Sequence, residues 1–232
     1  MTSELTSVQT PDGDMPAHLW QPSSRGGPGI LLLQEIFGVS DYILRRGQDL
    51  ADLGYVVLAP QIYWRIGAAP VEMGPDALGE GLTRLQQLDW DAAVDDGVAA
   101  LQALTGLPHV EGGAGIVGFC FGGGLGFSVA AVSDPDVLVS YYGSSIPDQL
   151  ELATQVRAAS LHHFGLADSY LPPETVEQVT EVLVGQPDVR VETYPGADHA
   201  FDNPDFSMHH PQASALAWER TVAFLADRLP TG

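Results

Sequence analysis

The sequence predicts an α/β fold over residues 1–232, read as one domain: a mostly parallel, twisted sheet with helices on both faces and an antiparallel hairpin at its N-terminal edge. Three observations carry this. Short apolar runs bounded by glycine and proline recur along the chain, as in Gly29–Leu33, Tyr55–Ala59 and Val137–Tyr142, and they have the length and composition of strands buried on both faces. Segments with helical spacing separate these runs, and strand–helix alternation builds a parallel sheet. The chain has 232 residues, 45% of them hydrophobic, which is enough to bury such a core.

Each element follows in order. Leu5–Gln9 and Met15–Gln21 flank the turn Pro11-Asp12-Gly13-Asp14 and read as a hairpin. Pro22–Pro28 is a loop, and Gly29–Leu33 a buried strand. Ser40–Leu53 has helical spacing, with Ser40 as N-cap and Gly54 as the stop. Tyr55–Ala59 is a strand ended by Pro60. Gln61–Pro75, rich in glycine, proline and aromatics, is irregular and is expected to lie over the open end of the sheet. Asp76–Leu104 is mostly helical, as one helix or two. Gly115–Gly118 is a short strand, Gly122–Val132 a helix, Val137–Tyr142 and Ser160–Phe164 strands, Pro172–Val184 a helix, Val189–Tyr194 a strand and Ala213–Leu229 a closing amphipathic helix. Ligands of such sheets bind beyond the carboxyl ends of the strands.

Composition excludes several functions. The formal net charge is -21, and all nine basic residues are arginines. That field repels phosphate backbones and anionic lipid, so neither nucleic acid nor membrane is an expected partner. No apolar run is long enough to span a bilayer. Met1–Gln9 has neither the basic nor the apolar region of a signal peptide, so the cytoplasm is the expected compartment. A single cysteine rules out an intramolecular disulfide.

That cysteine sits in the most informative stretch, Gly115-Ile116-Val117-Gly118-Phe119-Cys120-Phe121-Gly122-Gly123-Gly124. It is G-x-C-x-G between an apolar strand and a helix, the nucleophile-elbow pattern with sulfur in place of the usual hydroxyl. A residue at such a sharp turn tolerates no side chains two positions away on either side, and Gly118 and Gly122 remove them. The following helix directs the positive end of its dipole at Cys120, which favours a thiolate, and the Phe121 N–H can donate to an oxyanion. A buried cysteine in a glycine-rich turn would give the same letters. A phosphate-binding loop would need the Gly-Lys-Ser/Thr ending, and the chain has no lysine.

A cysteine nucleophile needs a base and a group that orients it. On this pattern the acid and then the histidine follow in chain order, each past a strand. Asp168 follows the run Leu161–Phe164 and Gly165, and His199 follows Val191–Tyr194 and the Pro195-Gly196 turn. Asp168 could instead be a helix cap or loop residue, and His199 a surface loop residue. Asp198 reads as solvated. His162 and His163 fall on a strand and read as hydrogen-bonded core residues. His209 and His210 lack a third ligand at suitable spacing, so no metal is expected, and no cofactor.

With these residues placed, the chain resembles the dienelactone hydrolase family of α/β-hydrolases. The likeness runs through Gln34-Glu35-Ile36-Phe37-Gly38-Val39, Gly54-Tyr55, Pro60-Gln61-Ile62-Tyr63, Gly118-Phe119-Cys120-Phe121-Gly122-Gly123, Tyr141-Tyr142-Gly143, Gly165–Asp168, Tyr194–Phe201 and Trp218-Glu219-Arg220-Thr221, in the family's order. The resemblance implies a Cys120–His199–Asp168 triad acting on a small ester or lactone. It places Glu35 beside the resting thiol, whose proton it helps remove when substrate binds, and it makes the N–H groups of Ile36 and Phe121 the oxyanion hole. Tyr63, Arg84, Tyr142, Phe37 and Asn203 are the implied substrate contacts. The family's best-known members grip a substrate carboxylate with two arginines. Here the matching positions are Asn203 and Leu78, with Arg84 or Arg65 as substitutes, so an uncharged ester or lactone is as much in view as an anionic one. A broader carboxylesterase or thioesterase of the same family is the alternative, as is a non-catalytic ligand-binding or redox-thiol member. A monomer or small homo-oligomer is expected.

Overall fold

Alternating polar and apolar residues give way after Trp20 to unbroken apolar runs, and the sheet changes character at that point. The computed structural model describes residues 3–24 and 26–232. Strands β1 (Glu4–Thr10) and β2 (Gly13–Trp20) form an antiparallel hairpin that turns Val8, Met15, Ala17 and Trp20 inward. β3 (Gly27–Leu33), β4 (Val56–Pro60), β5 (Val110–Phe119), β6 (Val137–Tyr141), β7 (Ala159–Gly165) and β8 (Val189–Tyr194) run parallel to one another. The eight strands lie in the order β1-β2-β4-β3-β5-β6-β7-β8, and β2 pairs antiparallel with β4.

Helices cover both faces. α1 (Asp41–Asp52) and α6 (Pro211–Arg228) share one face, where the Arg46 guanidinium lies 4.3 Å from the Trp218 ring. α3 (Trp90–Thr105) and α4 (Phe121–Ser133) pack on each other and on the central strands of the opposite face. α2 (Ala77–Gln87) and α5 (Pro173–Leu183) complete the set. Asp89 caps α3 by accepting from the Ala92 N–H at 3.1 Å, which is why residues 76–104 divide into two helices. Among the described residues, no helix is long and apolar enough to cross a membrane.

The strand order determines where the site can be. From β3 the chain steps outward to β4, then crosses back over β3 to β5 and continues the other way through β6, β7 and β8. The reversal lies between β3 and β5, which pair in register up to Leu33 opposite Gly118. A crevice opens beyond the carboxyl ends of two strands at such a switch point. Glu35 follows β3 and Cys120 follows β5, so the two flank it.

Several local expectations need correction. β5 starts at Val110, five residues before the run Gly115–Gly118 expected as strand, with Gly112 and Gly113 at positive φ within the added stretch. A 3-10 turn covers Ile62–Ile66 within the segment expected to be irregular, and another covers Ile146–Leu152. Ser40 stands at the N-cap of α1, but its hydroxyl makes no capping bond and is buried without a partner. His163 is hydrogen-bonded as expected, with Nδ1 2.8 Å from the Tyr194 hydroxyl and Nε2 3.0 Å from the Thr221 hydroxyl. His162 is not. Strand alternation turns it to the other face of the sheet, against Phe127 and Phe164, where neither ring nitrogen finds a partner.

Burial pushes His162 down to about 4, so it is a neutral ring in an apolar layer. The unfolded chain takes up a proton on this residue near pH 6.5 that the folded chain refuses until about pH 4. Stability is therefore lost as pH falls through that window, on the order of 3 kcal/mol from this group by linkage. His162→Leu is expected to stabilise the protein by about 1 kcal/mol at pH 7, by removing an unpaired buried polar ring. It should also flatten the decline in stability between pH 7 and 4. Urea melts of both forms across that range check this, and an equally steep decline in the variant would refute it.

Candidate active site

The site begins with an elbow that glycine makes sterically feasible. Cys120 has φ 55° and ψ -116°, a left-handed backbone uncommon for a residue with a side chain. Its N–H donates to the Tyr141 carbonyl at 2.9 Å, and its carbonyl accepts from Gly123 at 3.0 Å and Gly124 at 3.2 Å. A Cβ on Gly118 would strike the Gly122 carbonyl, and one on Gly122 would strike the carbonyls of Leu33 and Gln34. The turn thus closes only with glycine at both places, and Cys120 is left at the N-terminus of α4. Phe121 is the first residue of that helix, so its N–H has no acceptor within the helix.

Two loops bring the other groups to the sulfur. The loop after β7 carries Asp168 and the loop after β8 carries His199. They are joined where the Ala167 N–H donates to the Ala197 carbonyl at 2.9 Å, an approach that a side chain on Gly165 would block. His199 Nδ1 lies 2.7 Å from Asp168 Oδ2, and Nε2 lies 3.1 Å from Cys120 Sγ. The second oxygen of Asp168 accepts from the N–H groups of Tyr170 at 2.8 Å and Leu171 at 3.0 Å, which holds the carboxylate in place. The imidazole stands between the rings of Tyr142 and Tyr170, at centroid distances of 5.2 and 5.0 Å. Burial acts to lower the His199 pKa, but Cys120 and Asp168 outweigh it and raise the ring to about 10.

Glu35 is wholly buried. The tight turn after β3, closed by the Gly38 N–H on the Glu35 carbonyl at 3.1 Å, places it at the crevice. Burial lifts its carboxyl to about 7, against the opposing effects of the Asn203 and Tyr142 hydrogen bonds and of His199. Asn203 Nδ2 donates to Oε2 at 2.7 Å, and the Tyr142 hydroxyl donates to Oε1 at 3.3 Å. The resemblance placed Glu35 on the resting thiol. Here the sulfur is instead bonded to His199, and the carboxylate is held by an amide and a phenol, both better donors than a thiol.

The substrate-contact expectations divide. A cavity over Cys120 is lined by Glu35, Ile36, Phe37, His199, Tyr170, Phe206 and a row from α2, Leu78, Leu82 and Leu85. Phe37 is therefore in it. Tyr142 and Asn203 lie behind it as supports of Glu35. Tyr63 stacks on Phe121 at 5.9 Å and is not part of the lining. Arg84 turns to the Ala69 carbonyl and Glu80, and Arg65 to Asp96 and Asp12, because those acceptors already satisfy their guanidinium groups. In the sequence the α2 row stands as apolar residues at i, i+4 and i+7, and Leu78 occupies the position of one of the family's arginines.

Sequence reasoning missed the group that anchors the His199 loop. Asp202 is fully buried and accepts from the Tyr42 hydroxyl at 2.5 Å, from Arg46 Nε and Nη2 at 2.9 and 2.7 Å, and from the Ser214 hydroxyl at 2.7 Å. Its charged and phenolic partners, Arg46 and Tyr42, lie on α1, more than 150 residues away in sequence, so no local pattern reveals it. His209 and His210 act locally: His209 Nδ1 bonds the Phe201 carbonyl at 3.0 Å, and His210 Nδ1 caps α6 through the Ala213 N–H at 3.2 Å.

The chain is similar to known proteins over nearly its whole length. The model of the dienelactone hydrolase family matches residues 15–229. A carboxymethylenebutenolidase of Pseudomonas putida is 33% identical over 229 residues, covering 97% of each chain. One from Rhodococcus opacus is 30% identical, covering 97% of this chain and 91% of that one. Among solved structures, a Klebsiella pneumoniae protein assigned as a dienelactone hydrolase superposes with a TM-score of 0.83 at 25% identity, covering 97% and 98% of the two chains. A dienelactone hydrolase-like promiscuous phosphotriesterase from metagenomic libraries gives 0.80 at 24% identity over all of both chains, a likeness of fold. The match spans nearly the whole sheet and both loops of the site, and the chain belongs to the dienelactone hydrolase family, as a hydrolase of ester or lactone bonds on the α/β-hydrolase fold.

Proposed function

We propose that the chain cleaves small carboxylic esters or lactones by acyl transfer to Cys120. The observation that carries this is the unbroken line Asp168–His199–Cys120, with contacts of 2.7 and 3.1 Å, opening into a cavity whose lining includes Cys120 and His199. His199 takes the thiol proton, and Asp168 holds the ring in the tautomer that presents Nε2 to sulfur. Sγ attacks the carbonyl carbon. The N–H groups of Phe121 and Ile36 receive the oxyanion, and the positive end of α4 supports it. The C–O bond then breaks with the proton passing from His199 to the leaving oxygen. His199 next activates water, which releases the acid and returns the thiol. In a lactone the leaving oxygen stays tethered, so one hydroxy or keto acid results.

Glu35 supplies charge rather than a nucleophile. Once ionised, it favours the imidazolium of a thiolate–imidazolium pair across the cavity, while Asn203 and Tyr142 keep it from swinging onto the substrate carbonyl. A thioester would serve in the same chemistry. The reading of the chain as a non-catalytic thiol protein predicts no turnover at all.

Three outcomes test the proposal. Iodoacetamide should abolish hydrolysis of 4-nitrophenyl acetate in step with alkylation of Cys120, measured by mass spectrometry; full activity after complete alkylation would remove the nucleophile. His199→Ala should lower kcat/KM by roughly 100-fold or more, the usual worth of a general base. Finally, kcat/KM should rise as pH passes about 7, where Glu35 loses its proton, and Glu35→Gln should lower the rate and remove that limb. A profile in the variant that keeps the same midpoint would exclude Glu35 as its source.

A further inference from the structure

The cavity that opens on Cys120 has a definite chemical character, and it constrains the ester as well as the reaction. One wall is the leucine row of α2, Leu78, Leu82 and Leu85. The lining also includes the pair Phe37 and Phe206, whose ring centroids lie 5.3 Å apart. The lining holds one carboxylate, Glu35, and no arginine.

The arginines are occupied elsewhere. Each of the eight arginines among the described residues pairs with a carboxylate of the chain. Arg84 is the instructive case: it belongs to α2, yet it turns back along the helix to Glu80 and across to the Ala69 carbonyl. Asn203 spends its amide on Glu35. A second carboxylate seated in this cavity would be desolvated, unpaired and beside a like charge. Each of these disfavours it, and the overall charge of -21 disfavours its approach. An alkyl or aryl group in the same place would cover leucine and phenylalanine surface.

We infer that the site selects uncharged esters or lactones whose acyl or alcohol part carries a small apolar group seated against Leu78, Leu82 and Leu85, and that it excludes substrates bearing a carboxylate there. This rests on the proposed hydrolysis at Cys120. Selectivity comes from the cavity wall, so it differs from long-range repulsion in surviving salt, which screens charges beyond about 3 Å at 1 M.

A matched pair of substrates tests it: 4-nitrophenyl hexanoate and the mono-4-nitrophenyl ester of adipic acid, of similar length, one ending in methyl and the other in carboxylate. At pH 8 the hexanoate should have the higher kcat/KM by about 100-fold or more, the order expected when a charge is buried unpaired. The preference should persist when NaCl is raised from 20 mM to 1 M. Leu82→Arg, at the exposed rim of the row, should raise the adipate-to-hexanoate ratio at least tenfold. Equal turnover, a preference for the adipate, collapse of the preference in salt, or an unchanged ratio in Leu82→Arg would each overturn the inference. If neither ester is hydrolysed, hydrolysis at Cys120 is what fails, and the selectivity falls with it.

Discussion

One strained residue organises the rest. Cys120 holds a positive φ that costs on the order of 1–3 kcal/mol for a residue with a side chain, and it persists because its neighbours leave it no alternative. Its N–H is bound to β6, its carbonyl to the first turn of α4, and the two glycines beside it pack backbone against backbone with no room for a Cβ. The consequence is geometric. Sulfur leaves the interior of the central strand and faces the crevice, while the helix that follows begins where an oxyanion would need a donor. Tyr142 and Ala200, on neighbouring loops of the same site, also take positive φ, as do Asp134 and Asp188 in turns elsewhere.

The remaining groups are brought to the sulfur by loops, and those loops are stiffened by buried polar contacts. Asp168 is held by two N–H groups, and the loops of Asp168 and His199 are joined backbone to backbone. Asp202, three residues beyond His199, carries donors from two helices. A buried carboxylate left short of partners would be strongly destabilising; with three donor side chains it becomes a rivet between the loop and the helices α1 and α6. Glu35 occupies an intermediate position. It has two donors but little solvent, which brings its carboxyl near neutrality and leaves its charge responsive to pH.

The acidic composition has a related consequence. With few arginines in the chain, they act as clips between surface and buried carboxylates, and those described leave none to line the cavity over Cys120. The same economy of positive charge that shapes the surface also gives the cavity its apolar walls.

Much of this was legible in the sequence. Glycines at 118 and 122 around Cys120, set between an apolar run and a helix, specify an elbow because a backbone turn this tight leaves no other residue type room. The unbroken apolar strands specify a parallel sheet, and their order along the chain places acid and histidine after it. What the sequence could not decide were contacts between residues distant along the chain. Arg84 and Arg65 bind carboxylates of the chain, Asn203 serves Glu35 rather than a ligand, His162 is buried without partners although the adjacent His163 has two, and Asp202 is anchored by Tyr42, 160 positions away, and Arg46, 156 away. A local turn is dictated by the sterics of a few neighbouring residues, so sequence alone determines it. Which partner a guanidinium, amide or carboxylate finds depends on distances that exist only once the sheet has brought remote segments together.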